Sequence, residues 1–193
     1  MGMPAIERSW TRAEVLDLIA RNPLPTPRYE LVDGELLVTP APGGTHQSAV
    51  GLMHWHLRNY LVARPEVGEV FMSPADVKLE PESTVGPDVF VVTQTEGMRF
   101  RRDNRVHALV LAVEVLSPGD RSGDRTRKRA LYQRNVREYW IVDTTKRAIE
   151  VWRPGMASAF VARERLEWNP AGASQPFVLD VAVYFANVFG EPA

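Results

Sequence analysis

Two acidic residues, Asp88 and Glu114, stand in stretches that otherwise read as buried β-strand. Val85-Gly86-Pro87-Asp88-Val89-Phe90-Val91-Val92 is a short apolar strand entered through a Gly-Pro turn. Leu109-Val110-Leu111-Ala112-Val113-Glu114-Val115-Leu116 is nearly continuous in apolar residues, the pattern of a strand covered on both faces. An ionised carboxylate in either place is costly unless a cation or hydrogen-bond donors meet it. Two acids on neighbouring strands can share one divalent cation, which would account for both at once. Alternatively, each sits at a strand end and pairs with one of the many arginines.

Strand alternation places Ala112, Glu114 and Leu116 on one face. A cation two residues beyond Glu114 would complete a metal site, but position 116 is leucine. The nearest replacement lies on the following helix, where Asp124, Lys128, Leu131, Tyr132 and Asn135 form one stripe. Leu131 must face the sheet if this helix packs at all, so Lys128 lies on or beside the packed face. It either snorkels to solvent, pairs with Asp124 one turn earlier, or points at the acids. His46, His54 and His56 do not suggest zinc, because His54 and His56 are two apart on a helix and diverge. His46, at the start of that helix, could touch a phosphate or a carboxylate, or serve only as a turn residue. The tryptophans lie in separate elements and read as core or strand residues.

The elements that must hold these residues follow from pattern. Thr11-Arg12-Ala13-Glu14 is a capping box opening a short helix that Pro23, Pro25 and Pro27 end. Tyr29–Val32 and Glu35–Val38 flank Asp33-Gly34, a strong hairpin signal. After the loop at Pro40, apolar residues at helical spacing run from Thr45 to about Ala63. Strands follow near Val67–Met72, Asp76–Leu79, Val89–Val92 and Leu109–Leu116. A turn at Ser117–Asp120 and a basic helix from Asp124 to Asn135 come next. Glu138–Asp143 and Ala148–Trp152 form a further strand pair, and Asp180 caps a last helix to Phe189. The sum is an α/β chain with a mixed sheet between helices, preceded by a helix and hairpin.

The chain has 193 residues, 45% hydrophobic and 24% charged, and is expected to form a single domain over 1–193 with its core at about 28–152. Cysteine is absent, which excludes disulfides and thiolate metal sites. No apolar run reaches membrane-span length and the first ten residues lack a signal-peptide core, so a cytoplasmic location is expected. A net charge of −1 excludes bulk attraction to nucleic acid. Local basic surface is available, however. Arg121, Arg125, Arg127, Lys128, Arg129, Arg134 and Arg137 fall within seventeen positions holding one acid, Asp124.

Pro87-Asp88, Glu114-Val115-Leu116-Ser117-Pro118, Asp124, Lys128 and Glu138-Tyr139-Trp140-Ile141-Val142-Asp143, taken in order, resemble the Uma-type putative restriction endonucleases of the PD-(D/E)xK nuclease superfamily. Tyr29-Glu30-Leu31-Val32-Asp33-Gly34-Glu35 and His46-Gln47 match as well, and the likeness runs from about residue 11 to 189. Two departures are Gly123 before Asp124, where the family commonly has an aromatic, and the absence of a glycine in Asn135-Val136-Arg137. The resemblance implies a restriction-endonuclease-like α/β fold and metal-dependent hydrolysis of DNA. Asp88 and Glu114 would hold Mg²⁺ or Mn²⁺, and Lys128 would take the place of the lysine that has left the strand. Glu35, in the matching Asp-Gly-Glu segment, would be the extra acid, or else an exposed hairpin residue. Arg121, Arg125, Arg127, Arg129 and His46 would contact phosphates, and a homodimer would suit cutting two strands. A nuclease-like module that binds nucleic acid or protein without cutting is the alternative. Repulsion between two buried acids further predicts that Asp88→Asn stabilises the metal-free protein.

Overall fold

The computed structural model describes residues 9–22, 24, 26–39, 41–81, 83–103, 105–116 and 122–192, with 122–124 as backbone only. Pro23, Pro25, Pro40, the turn at Ser117–Asp120, Arg121 and the Asp124 side chain lie outside what is described. Helix α1 (Arg12–Arg21) opens on the expected capping box, with both reciprocal hydrogen bonds formed between Thr11 and Glu14. Strands β1 (Arg28–Val32) and β2 (Glu35–Thr39) form the hairpin. Asp33 and Gly34 both have positive φ, as a two-residue turn of this hand requires. Helix α2 (Gly44–Val62) leads to β3 (Glu69–Met72), β4 (Val77–Glu80), β5 (Ser83–Val85) and β6 (Val89–Val92).

Helix α3 (Gln94–Asp103) precedes β7 (Leu111–Val115), α4 (Ser122–Asn135), β8 (Tyr139–Asp143) and β9 (Ala148–Trp152). The chain closes with β10 (Phe160–Ala162), β11 (Arg165–Trp168), β12 (Phe177–Asp180) and α5 (Val181–Phe189), which Asp180 caps through the Val183 amide. Sequence pattern missed α3, β5 and the strands β10 to β12. Segment α3 carries a mid-helix glycine and few apolar residues, so its helical period is faint.

The central sheet has six strands in the order β10-β9-β8-β7-β6-β3. All its pairings are antiparallel except β7 with β8, which α4 joins as a crossover. A second sheet has the order β2-β1-β5-β4. Alternation along the central strands builds a core on each face. Val89, Val91, Val113 and Trp140 pack against α2 and α5, whereas Phe90, Ala112, Tyr139 and Ile141 meet Leu131 and Tyr132 of α4. Trp140, Trp152 and Trp168 are buried as expected, but Trp55 on α2 is 56% exposed and departs from the core assignment.

One close approach fixes the edge strand β3 against the end of β6 far from Asp88. Gly68, with φ +143, leads into β3, and a Cβ there would lie 2.0 Å from the Val92 carbonyl oxygen. No side chain fits without moving β3 away from β6. Gly68→Ala is therefore expected to cost about 2–4 kcal/mol, read as a lowered urea midpoint with little change in slope.

Candidate active site at the end of the central sheet

Strands β6 and β7 run antiparallel with Val89 opposite Val113 and Phe90 opposite Ala112. One step further along that register, Asp88 stands opposite Glu114, and both share parity with the residues that face α4. The two acids thus occupy one face, as a shared site requires. On α4, Lys128 precedes the buried Leu131 and Tyr132 by three and four residues, so its side chain turns to the sheet. Its ammonium nitrogen donates to both Glu114 carboxylate oxygens at 3.1 Å. The Tyr132 hydroxyl adds a hydrogen bond to Glu114 Oε1 at 2.9 Å.

The third acid at this lysine is Glu30, not Glu35. Lys128 Nζ lies 2.7 Å from Glu30 Oε2, and the Gly86 amide donates to Glu30 Oε1 at 2.8 Å. In the hairpin register Glu30 faces the buried Leu37, which carries it inward. Glu35 sits beside the turn, about half exposed, and pairs with Arg127 at 2.8 Å. Glu35, expected as the extra acid, thus stands away from Lys128 at the turn, and the hairpin brings Glu30 to the lysine instead. Arg28, which sequence reasoning also passed over, donates from Nη1 to Asp88 Oδ1 at 3.4 Å, and its Nε lies 3.8 Å from Glu30.

Asp88 is held by donors from three elements. The Val115 amide donates to its Oδ2 at 2.8 Å, and His46 Nε2 in the first turn of α2 lies 3.2 Å from the same oxygen. His46 therefore meets the carboxylate rather than standing alone as a turn residue. Glu30, Asp88, Glu114 and Lys128 are 1%, 4%, 7% and 9% exposed.

Burial works against ionisation of all three acids, yet they respond differently. At Asp88 the hydrogen bond with His46 and the charge of Arg28 outweigh burial, and the pKa falls below the usual carboxylate range. At Glu30 the charges of Lys128 and Arg28, with the Gly86 amide, do the same. At Glu114 burial prevails over Lys128, reinforced by the negative charges of Asp88 and Glu30, and the pKa is pushed up to about 7. Lys128 itself is raised, since Glu114 and Glu30 outweigh its burial, so it stays an ammonium. Burial also opposes the charge on His46, but Asp88 raises its pKa.

Three carboxylates face two permanent cations, Arg28 and Lys128, and the raised Glu114 registers that excess of negative charge. A hard divalent cation fits such a donor set. Among the described residues, no three His, Asp or Glu side chains converge as a preformed cage. The fit is thus to a partial oxygen shell from Asp88 and Glu114, of the kind that Mg²⁺ completes with water and phosphate oxygens.

The predicted phosphate-binding arginines already have partners. Arg125 is ion-paired with Glu150, Arg127 with Glu35, and the Arg129 guanidinium lies 4.6 Å from the Trp152 ring centroid. Arg121 lies outside the described residues.

With the geometry in place, comparison with known proteins is informative. The family described as Uma2, putative restriction endonuclease, matches residues 13–181. A crystal structure of a putative nuclease belonging to DUF820 from Anabaena variabilis ATCC 29413 superposes with a TM-score of 0.72 at 19% identity, covering 90% of this chain and 98% of that one. No functionally curated protein matches. Among the described residues no helix is long and apolar enough to cross a membrane.

The electrostatics reverse the stability expectation for Asp88. The fold favours charge on Asp88 and disfavours it on Glu114. A raised folded pKa means that the native state holds its proton more tightly than the unfolded chain. The Glu114 contribution is therefore complete below about pH 4.5 and is lost as pH rises to about 7. Without metal, Glu114→Gln should match the wild type in melting temperature at pH 4.5 and exceed it at pH 8. Asp88→Asn should instead lower the melting temperature at pH 7. Calorimetry of both variants in EDTA checks the opposite signs.

Proposed function

The chain belongs to the Uma2 family of putative restriction endonucleases, with a restriction-endonuclease-like nuclease fold, and on that premise we propose that it is a metal-dependent endonuclease hydrolysing phosphodiester bonds in DNA. The observation that carries this reading is the buried cluster in which Lys128 bridges Glu114 and Glu30 while Asp88 stands opposite Glu114 on the neighbouring strand. Asp88 and Glu114 would hold Mg²⁺ or Mn²⁺. When bound, the cation supplies a more acidic water and neutralises charge on the scissile phosphate.

The protein's own groups do the rest. Asp88 is kept ionised by the Val115 amide, Arg28 and His46, so it presents a ready anionic oxygen. Lys128, raised in pKa by its two glutamates, cannot act as a base near neutral pH. It serves as a fixed positive charge that orients water or stabilises charge developing on a phosphate oxygen. Glu30 holds Lys128 in that position from the second sheet, and Tyr132 fixes the Glu114 rotamer. Arg125, Arg127 and Arg129 would supply phosphate contacts by exchanging their intramolecular partners.

The alternative, a nuclease-like module that binds without cutting, draws support from one observation. Lys128 already bridges both glutamates, and among the described residues no three His, Asp or Glu side chains form a ready metal cage. Cleavage of plasmid and branched DNA with Mg²⁺ and with Mn²⁺ separates the two readings. The wild type should cut and EDTA should stop it, whereas Asp88→Asn should be inactive. Lys128→Gln should lose about 10²-fold in turnover, the scale of one missing charge-stabilising donor. It should keep its fold better than Lys128→Ala, because an amide still hydrogen-bonds the two carboxylates. Binding without any cleavage by the wild type would select the module.

Basic surface makes a separate claim. The Arg125→Ala/Arg127→Ala double variant should bind DNA more weakly whatever the sequence, and with a shallower dependence on salt. Anisotropy titrations from low to moderate salt measure both.

A further inference from the structure

A cavity of about 290 Å³ opens directly on Asp88. Arg28, His46 and Asp88 form one side of it, while Pro42, Val50 and Pro74 give it carbon walls. Two neighbours of Asp88 each carry a buried nitrogen with no hydrogen-bond partner among the described residues: His46 Nδ1, and Arg28 Nε, which lies 3.8 Å from Glu30. Such orphans are uncommon, and His46 Nδ1 is a donor or acceptor open to a ligand group. Asp88 itself is nearly closed off from solvent, so a phosphate that reaches it brings an attached nucleoside into this recess.

Size and lining restrict what can enter. The volume is near the lower bound of small-ligand pockets, roughly 300 Å³, enough for one base and sugar but too small for a stacked base pair. Prolines and valine offer flat carbon surface to a base face, and the threonines at the lining, Thr26 and Thr39, offer hydroxyls to its edge. Nucleases acting on a duplex phosphate from outside have no use for such a recess. Enzymes that seat a single nucleotide in a pocket take it from a strand that is unpaired or extruded.

Resting on the endonuclease reading above, we infer that the cavity beside Asp88 seats one unpaired nucleotide, and that the substrate is single-stranded DNA or the single-stranded part of a branched molecule. Arg28 and His46 take the phosphate of that nucleotide, and the Pro42–Pro74 walls take its base.

Anisotropy with three fluorescein-labelled probes tests this, in Mg²⁺ and in EDTA: single-stranded oligothymidine, the same strand with abasic sites, and its duplex with oligoadenine. The wild type should bind the single strand about tenfold or more tightly over the duplex, and abasic sites should remove about tenfold of that affinity, the scale of one lost base contact. The Thr39→Leu/Gln47→Leu variant replaces two polar groups that line the cavity with carbon and leaves Arg28, His46 and Asp88 untouched. It should lose the single-strand preference and keep its duplex affinity, with an unchanged melting temperature. Equal affinity for single strand and duplex, indifference to abasic sites, or binding to none of the probes overturns the inference. Cutting of duplex DNA with indifference to abasic sites would sink the cavity assignment and leave the nuclease reading standing. A single-strand preference without cleavage would do the reverse.

Discussion

One ammonium group organises the centre of this protein. Lys128 on α4 reaches Glu114 on the central sheet and Glu30 on the hairpin sheet, and all three side chains are buried. Neither glutamate could remain charged there alone, since a buried unpaired carboxylate is expensive. Neither could the lysine. The triad is therefore held by its lysine: removing the ammonium leaves two buried carboxylates without it, and the two sheets and the helix are tied to one another through it. It also explains how a helix as polar as α4 docks at all. Leu131 and Tyr132 supply its apolar contact, and Lys128 supplies a second attachment that a hydrophobic stripe alone would not give.

Three carboxylates against two permanent cations leave the cluster short of positive charge. That deficit falls on Glu114 because Asp88 and Glu30 have the better donors: the Val115 and Gly86 amides, Arg28 and His46. Equal burial thus gives unequal acids. The arrangement separates a carboxylate held toward its anion from one pushed toward its neutral form, and of the two only Asp88 lines the cavity.

Much of this was legible in the residues. Acids at 88 and 114 contradict the apolar strands around them, and period puts Lys128 on the same helical stripe as Leu131 and Tyr132, while the family resemblance is what points it at the acids. The choice between Glu30 and Glu35 also lay within reach. A two-residue turn at Asp33-Gly34 pairs 32 with 35 and 30 with 37, which sets Glu30 opposite a buried leucine and leaves Glu35 at the turn. Local motif matching points to Glu35, where register points to Glu30 as the glutamate that reaches Lys128. Other features had no such signal. The partners of Arg125, Arg127 and Arg129 come from distant strands, and a cluster of arginines looks alike whether it is free or tied to Glu150, Glu35 and Trp152. Helix α3 carries a glycine and few apolar residues, and β10 to β12 are too short for alternation to stand out.

The order in which the triad is made has a consequence for synthesis. Glu30 leaves the ribosome early, Asp88 and Glu114 follow, and Lys128 comes only after the strand that carries Glu114 is complete. Until α4 has emerged and docked, the two glutamates have no ammonium between them and the hairpin sheet has no charged tie to the central one. A nascent or truncated chain therefore lacks the centre as well as the fold.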